Sequence, residues 1–163
     1  MARQSAGMWL LGWILIIAAL TFYFSSQEER TVVQYSPEGD IEVVIPRRFG
    51  HYEIDGEING VVASMMVDTG ATSISIPEAL ADQMNLERGR EIVALTAGGP
   101  IAVYQTRIDR LRLGEIVLYD VRATINPEPD VNSVLLGMSA LAALEFEQRG
   151  NTLVLRQRGR PKG

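Results

Sequence analysis

The chain has 163 residues, 47% of them hydrophobic, with 15 basic and 20 acidic side chains for a net charge of −5. That acidic balance argues against nucleic acid as the main partner. With no cysteine in the chain, thiol catalysis, disulfides and cysteine–zinc sites are excluded.

Residues 8–24 carry no charge, and none falls between Arg3 and Glu28. An apolar run of about this length spans a bilayer as one helix. Trp9, Trp13 and Tyr23 lie towards its ends, where interfacial aromatics gather. A cleaved signal peptide is the competing reading. Phe22, Tyr23 and Phe24 crowd the place where its small-x-small site would fall, which favours an uncleaved signal anchor. Arg3 and the amino terminus precede the span, whereas Glu28 and Glu29 follow it. The positive-inside rule then predicts a cytoplasmic residue 1–7 segment, one contact with the lipid bilayer through residues 8–24, and an exported C-terminal domain. Setting Arg3 aside leaves 14 of the 15 basic residues against all 20 acidic ones, a net of −6 for the remainder.

Residues 25–40, with Pro37, Gly39 and paired acids, read as a juxtamembrane linker. About 120 residues, 41–157, then form one domain, and residues 158–163 form a basic tail. Ile41 to Pro46 is a short strand ended by proline. Tyr52, Ile54 and Ile58 alternate with Glu53, Asp55 and Glu57, the pattern of a half-buried strand with a solvated acidic face. Asn59-Gly60 signals a tight hairpin, and Val61 to Val67 returns as the next strand. Ser73 to Ile76 alternates again, and Pro77 opens a short helix to Met84. Glu91 to Leu95 and Ile101 to Ile108 are strands joined by Thr96-Ala97-Gly98-Gly99-Pro100. Leu111 to Tyr119 and Val121 to Ile125 read as a further hairpin, followed by a loop over 126–130. Val134-Leu135-Leu136-Gly137-Met138 is a buried strand that ends in glycine, and Ser139 to Leu144 continues as a short helix. Phe146 to Leu155 is a last hairpin turning at Arg149-Gly150-Asn151. Many short, evenly spaced strands with two short helices predict an all-β, closed or nearly closed barrel.

The chemistry-bearing stretch is Met66-Val67-Asp68-Thr69-Gly70-Ala71-Thr72-Ser73. It puts a carboxylate where an apolar strand stops and a turn of small and hydroxyl residues begins. Such a turn can hold an aspartate fixed for acid–base work, because Gly70 lets the backbone approach and the hydroxyls bond locally. Capping of a turn is the structural alternative for Asp68. The three letters Asp-Thr-Gly alone are a weak signal, so the surrounding elements carry the argument.

Three elements stand in order: Asp68-Thr69-Gly70-Ala71 after an apolar strand, a hairpin tipped by Ala97, Gly98 and Gly99, and Leu135-Leu136-Gly137 before a helix. Over roughly residues 50–155 this resembles the retropepsin-like (retroviral-type) aspartic proteases, and more narrowly their membrane-anchored bacterial members in clan AA. The resemblance implies a retropepsin-like barrel preceded by one transmembrane helix. It implies Asp68 as the catalytic carboxylate and Thr69 as a bond across a homodimer. Gly70 and Ala71 would line the cleft and bond the substrate backbone. Ala97, Gly98 and Gly99 would form the flap, with Leu136 and Gly137 packed behind the catalytic turn. It further implies a single-pass protein of a bacterial inner membrane with its catalytic domain in the periplasm. Retroviral enzymes usually carry aspartate where Thr72 stands here, so Thr72 is expected to border the substrate with different chemistry.

One suitable aspartate per chain requires two chains. Two facing carboxylates share a proton; the ionised one takes a proton from water, and the neutral one donates to the scissile carbonyl. No metal and no cofactor enters this chemistry. His51 is the only histidine, and no nucleophile elbow surrounds Ser64, Ser73, Ser75 or Ser139. The expected function is a membrane-anchored aspartic endopeptidase acting on exported or membrane proteins, most active at acidic to neutral pH. The alternatives are a non-catalytic barrel that binds extended peptides, with Asp68 structural, and a membrane-anchored scaffold.

Overall fold

The computed structural model describes residues 5–25, 31–35, 40–128 and 133–158. Residues 1–4, 26–30 and 36–39, the loop residues Pro129 and Asp130, and residues 159–163 of the expected tail lie outside the described residues. The chain divides into two units, Met1–Arg30 and Thr31–Gly163.

The first unit contains one helix, α1 (Ser5–Ser25, 21 residues), with no acidic side chain in its first turn and no basic one in its last. It has no polar face. Its one described hydroxyl, that of Thr21, donates to the carbonyl of Ile17 at 2.7 Å and so satisfies itself within the helix. Trp9, Leu10, Leu11, Trp13 and Ile14 are all exposed. The expected span 8–24 lies within α1. Among the described residues no helix is long and apolar enough to cross a membrane. The described side chains of α1 run only from Trp9 to Phe22, which is shorter than a span.

The second unit is built on period-two alternation. The strands are β1 (Val32–Tyr35), β2 (Ile41–Arg48), β3 (His51–Ile58), β4 (Val61–Val67), β5 (Ile74–Pro77), β6 (Glu91–Thr96), β7 (Gly99–Leu113), β8 (Ile116–Asn126), β9 (Val134–Leu136), β10 (Glu145–Arg149) and β11 (Thr152–Gln157). Two one-turn helices interrupt them, α2 (Glu78–Ala81) and α3 (Met138–Leu141). The strand order is β10-β11-β2-β3-β4-β9-β5-β8-β7-β6, with β1 on β2. Pairing of Glu57 with Arg112 and of Ile58 with Leu111 joins β3 to β7. That link closes β3, β4, β9, β5, β8 and β7 into a barrel, as the strand count predicts. Ile54 and Ile58 of β3, Met65 of β4, Ile74 and Ile76 of β5, and Ile108 of β7 fill it.

Several expectations shift by a few residues for identifiable reasons. Part of the expected linker is strand: Val32 and Val33 of β1 pair with Val44 and Val43 of β2. Pro46 does not end its strand; it pairs with Thr152 within β2, which runs to Arg48. The hairpin expected to turn between Tyr119 and Val121 turns instead at Gly114-Glu115, between β7 and β8. Tyr119-Asp120 lies mid-strand, where the ladder lapses between Ile108↔Val121 and Arg110↔Tyr119. The residues facing each other at that gap are Asp109 and Asp120, a like-charge pair that weakens pairing. Asp120 has φ +54° there and is held by the Arg107 guanidinium. The helix expected from Pro77 to Met84 keeps only its first turn.

Acidic side chains on the strands behave as solvated or paired groups. Glu53 and Asp55 are exposed, and Glu57 accepts from Arg112 at 3.2 Å. Arg156 of β11 sits across from Glu42 of β2 and Glu145 of β10. Its Nε and Nη2 both reach Glu42 Oε1, at 2.7 and 2.6 Å. This hydrogen-bonded carboxylate, with its charge, holds the Arg156 pKa above the ordinary arginine value.

Candidate active site

Two parallel strands deliver the site. In an otherwise mostly antiparallel barrel, β4 and β9 run side by side with Met65 beside Val134, Met66 beside Leu135 and Val67 beside Leu136. Both strands stop at the same level, so Asp68 and Gly137 leave the sheet as neighbours. The Asp68 amide donates to the Leu136 carbonyl at 3.1 Å, which extends the ladder by one bond. The Asp68 carboxylate then turns back on its own loop, and its Oδ1 accepts from the Gly70 amide at 2.8 Å. The Ala71 amide donates to the Asp68 carbonyl at 3.3 Å and closes the turn. Asp68 is half-buried, while Thr69, Gly70 and Thr72 are exposed. One carboxylate oxygen is therefore fixed by a backbone amide in a site open to solvent.

The second loop passes directly behind. The Met138 amide donates to the Ala71 carbonyl at 2.8 Å, so that carbonyl is committed inside the chain. Gly137 fits because it lacks a side chain: a Cβ would stand 2.3 Å from the Ser73 carbonyl oxygen and 2.7 Å from that of Ala71. Leu136 is fully buried beneath the turn. The sequence-predicted pair Leu136 and Gly137 thus contacts the Asp68 loop through backbone.

Ser139 completes the support. Its Oγ accepts from the Ile74 amide at 3.0 Å and donates to the Arg122 carbonyl at 2.7 Å. Thr124 Oγ1 donates to the Ile74 carbonyl at 3.3 Å. These hydroxyls pin β5 against β8 just after the Asp68 turn. No local pattern in the sequence marks them, because a serine on a helix and a threonine in a strand are common in any barrel. Ser139 is occupied by backbone partners, and His51 is an exposed residue of the β2–β3 hairpin.

Ala97, Gly98 and Gly99, expected to form a flap, lie on the β6–β7 hairpin, away from the turn in sequence. The tip is tighter than predicted, since pairing continues to Thr96↔Gly99 and leaves only Ala97-Gly98 as the turn. Thr96 Oγ1 clasps it, donating to the Gly99 carbonyl at 2.8 Å and accepting from the Gly98 amide at 3.2 Å. Gly99 has φ +114°, a conformation that side-chain-bearing residues rarely adopt. Val93 and Leu95 of β6 are exposed apolar residues on this hairpin. Tyr104, at the root of β7, is half-buried and lies under the Arg88 guanidinium, 5.3 Å from its ring centre.

A cavity of about 870 Å³ opens beside the Asp68 turn, between Thr72 and Ser73 on one side and Arg90 and Ile92 at the base of the β6–β7 hairpin on the other. Thr72 and Ser73 of the Asp68 turn line it, and Asp68 is not among its lining residues. Among the described residues no group of three His, Cys, Asp or Glu side chains is placed to hold a metal ion.

The chain is similar to several known proteins. A Sinorhizobium protein described as "Uncharacterized protein in cobV 5'region" is 27% identical over 161 residues, covering 90% of this chain and 69% of that protein. A retropepsin-like aspartic protease from Rickettsia conorii shares the fold, with TM-score 0.62 and 24% identity over 78% of this chain and 96% of that one. The EIAV protease complexed with the inhibitor HBY-793 aligns at TM-score 0.46 and 19% identity, over 55% of this chain and 84% of that one. A family model described as "gag-polyprotein putative aspartyl protease" matches residues 54–143, more than half of the chain and all of the turn, flap and Gly137 elements, and the chain belongs to that family.

Proposed function

We propose that this chain is a membrane-anchored aspartic endopeptidase whose catalytic centre forms from two copies, each contributing Asp68. The observation that carries the reading is the Asp68 turn: a half-buried carboxylate at a strand end, with Oδ1 fixed by the Gly70 amide at 2.8 Å and the turn backed by Leu136 and Gly137. A carboxylate held by its own loop is pre-organised for proton transfer and needs no reorganisation when substrate arrives.

The chemistry follows from pairing two such groups. Two carboxylates a few ångströms apart cannot both ionise, so the dyad holds one proton. The ionised member takes a proton from water as that water attacks the peptide carbonyl. The protonated member donates to the carbonyl oxygen, giving a tetrahedral intermediate. Return of a proton to the departing amine breaks the C–N bond. Thr69, exposed beside Asp68, would bond across the twofold axis, and the Ala97-Gly98-Gly99 flap would close over the substrate. Thr72 would border the substrate beyond the dyad.

Support for the anchor comes from the sequence. The 21 residues of α1 contain no Asp, Glu, Lys or Arg. Residues 8–24 of the sequence carry no charge, a run of about the length that spans a bilayer as one helix. Arg3 before the helix and Glu28 and Glu29 after it favour a bacterial inner-membrane protein with its domain in the periplasm. A tether of this kind restricts substrates to exported or membrane proteins near the bilayer.

The test uses the full chain in detergent against a mixed peptide library from acidic to neutral pH. Wild type is expected to cut, and Asp68→Asn to lose at least about a thousandfold in kcat while remaining folded, since Asn Oδ1 can still accept from the Gly70 amide. Specific activity is expected to fall on dilution as dimers dissociate. Equal cleavage by wild type and Asp68→Asn would overturn the assignment of Asp68. Activity per chain that does not change with dilution, in a species that sediments as a monomer, would overturn the shared dyad.

A further inference from the structure

The cavity beside the Asp68 turn is lined by charged side chains of both signs. Four arginines line it, Arg88, Arg90, Arg107 and Arg122, against two acids, Glu87 and Asp109. The protein itself carries a net charge of −5. Glu78 and Asp120 neutralise two of the arginines, and Glu87 and Asp109 balance the other two in formal charge, so the recess offers individual guanidinium donors rather than a net positive field.

Two of these arginines are already committed. Arg88 pairs with Glu78 and lies over Tyr104; Arg107 pairs with Asp120. The other two differ. Among the described residues neither Arg90 nor Arg122 has an ion-pair partner, and both are exposed. Their backbones are held, however. The Arg90 carbonyl accepts from the Gln105 amide at 3.0 Å, and the Arg122 carbonyl accepts from Ser139 Oγ at 2.7 Å. Fixed backbones with open guanidinium groups make donors that a carboxylate can engage bidentately without moving the chain.

Position supplies the occupant. The cavity runs from Thr72, four residues after Asp68, to Ile92 on the strand that carries the flap. An extended peptide lying between the catalytic turn and the flap would send alternate side chains towards it. At about 870 Å³ it is larger than one side chain and suits a short peptide segment. We propose that this cavity is a specificity site for acidic substrate segments, in which Arg90 and Arg122 bind Asp or Glu side chains flanking the scissile bond. The proposal rests on the protease reading for the word substrate, but the cavity and its charges do not.

The experiment measures binding apart from cleavage. Fluorescent peptides with Glu at flanking positions, and matched peptides with Gln there, are titrated against the full-length Asp68→Asn protein in detergent. The Glu peptide is expected to bind about tenfold more tightly, the scale of one charge-assisted pair. Added salt should shrink the difference. Arg90→Gln with Arg122→Gln should abolish it, and Arg90→Glu with Arg122→Glu should reverse it. In the cleaving wild type, the same double variants should lower the ratio of kcat/KM for Glu over Gln peptides by about tenfold. Equal binding of both peptides overturns the cavity assignment. A preference that survives both double variants overturns it too, as does displacement of the Glu peptide by free phosphate as readily as by an acidic peptide. A binding preference that depends on both arginines, with no cleavage by wild type, supports the cavity and overturns the protease reading.

Discussion

A Cβ placed on Gly137 would stand 2.3 Å from the carbonyl oxygen of Ser73, closer than any real Cβ contact. The obstacle is backbone, and the Ser73 carbonyl lies between Ala71, bonded by Met138, and Ile74, bonded by Ser139. Neither side can yield without breaking the support of the Asp68 turn. Gly137→Ala is therefore expected to lower the free energy of unfolding by at least about 2 kcal/mol and to abolish proteolysis. Denaturant melts read the first effect and peptide cleavage the second. An alanine variant as stable as wild type would show that the crossing of the two loops is looser than these distances imply.

Asn59 joins three segments through one side chain. Its Nδ2 donates to the Met84 carbonyl at 3.1 Å, and its Oδ1 accepts from the Arg110 amide at 3.1 Å. It also holds φ +51° in the turn between β3 and β4. Asn59→Ala loses both bonds and strains the turn, for a cost of about 2–3 kcal/mol. Asn59→Gly keeps the turn conformation and should cost less. A thermal-shift ranking with Gly below Ala in stability would assign the main role to something other than the turn.

Thr96 holds the flap tip rather than the barrel. Its hydroxyl bonds both the Gly99 carbonyl and the Gly98 amide on an exposed hairpin. Thr96→Val should leave the melting temperature within about 2 °C, because little buried structure depends on it. Peptide kcat/KM should fall several-fold as the tip samples other conformations. Steady-state kinetics beside a melt separates a flap effect from a folding effect.

Tyr52 carries the reverse expectation. Its hydroxyl is buried with no hydrogen-bond partner among the described residues, while its ring packs against the core. An unsatisfied buried hydroxyl is a net cost, so removing it should help or be neutral. Tyr52→Phe is expected to raise the unfolding free energy by up to about 1 kcal/mol. A clear loss of stability would reveal a partner for that oxygen, such as an ordered water.

Local pattern alone carried much of the architecture. Alternation in Tyr52 to Ile58 named β3 and its buried face, Asn59-Gly60 named its turn, and the apolar run ending at Asp68 named the strand end that bears the carboxylate. These features are legible because strand period and turn chemistry act over a few neighbouring residues. Tertiary structure decided what depends on distant partners. It set β4 parallel to β9, so that Leu136 and Gly137 back the Asp68 turn from about 70 residues away. It moved the β7–β8 turn to Gly114-Glu115, because the continuous register of that long hairpin outweighs the local break at Asp120. It drew Ser139, Thr124 and Asn59 into bonds that no spacing announces, and it gathered Arg90 and Arg122 into one cavity. A carboxylate at a strand end is a local event; a carboxylate held, backed and bordered by charge is made by chain crossings that only the closed barrel brings together.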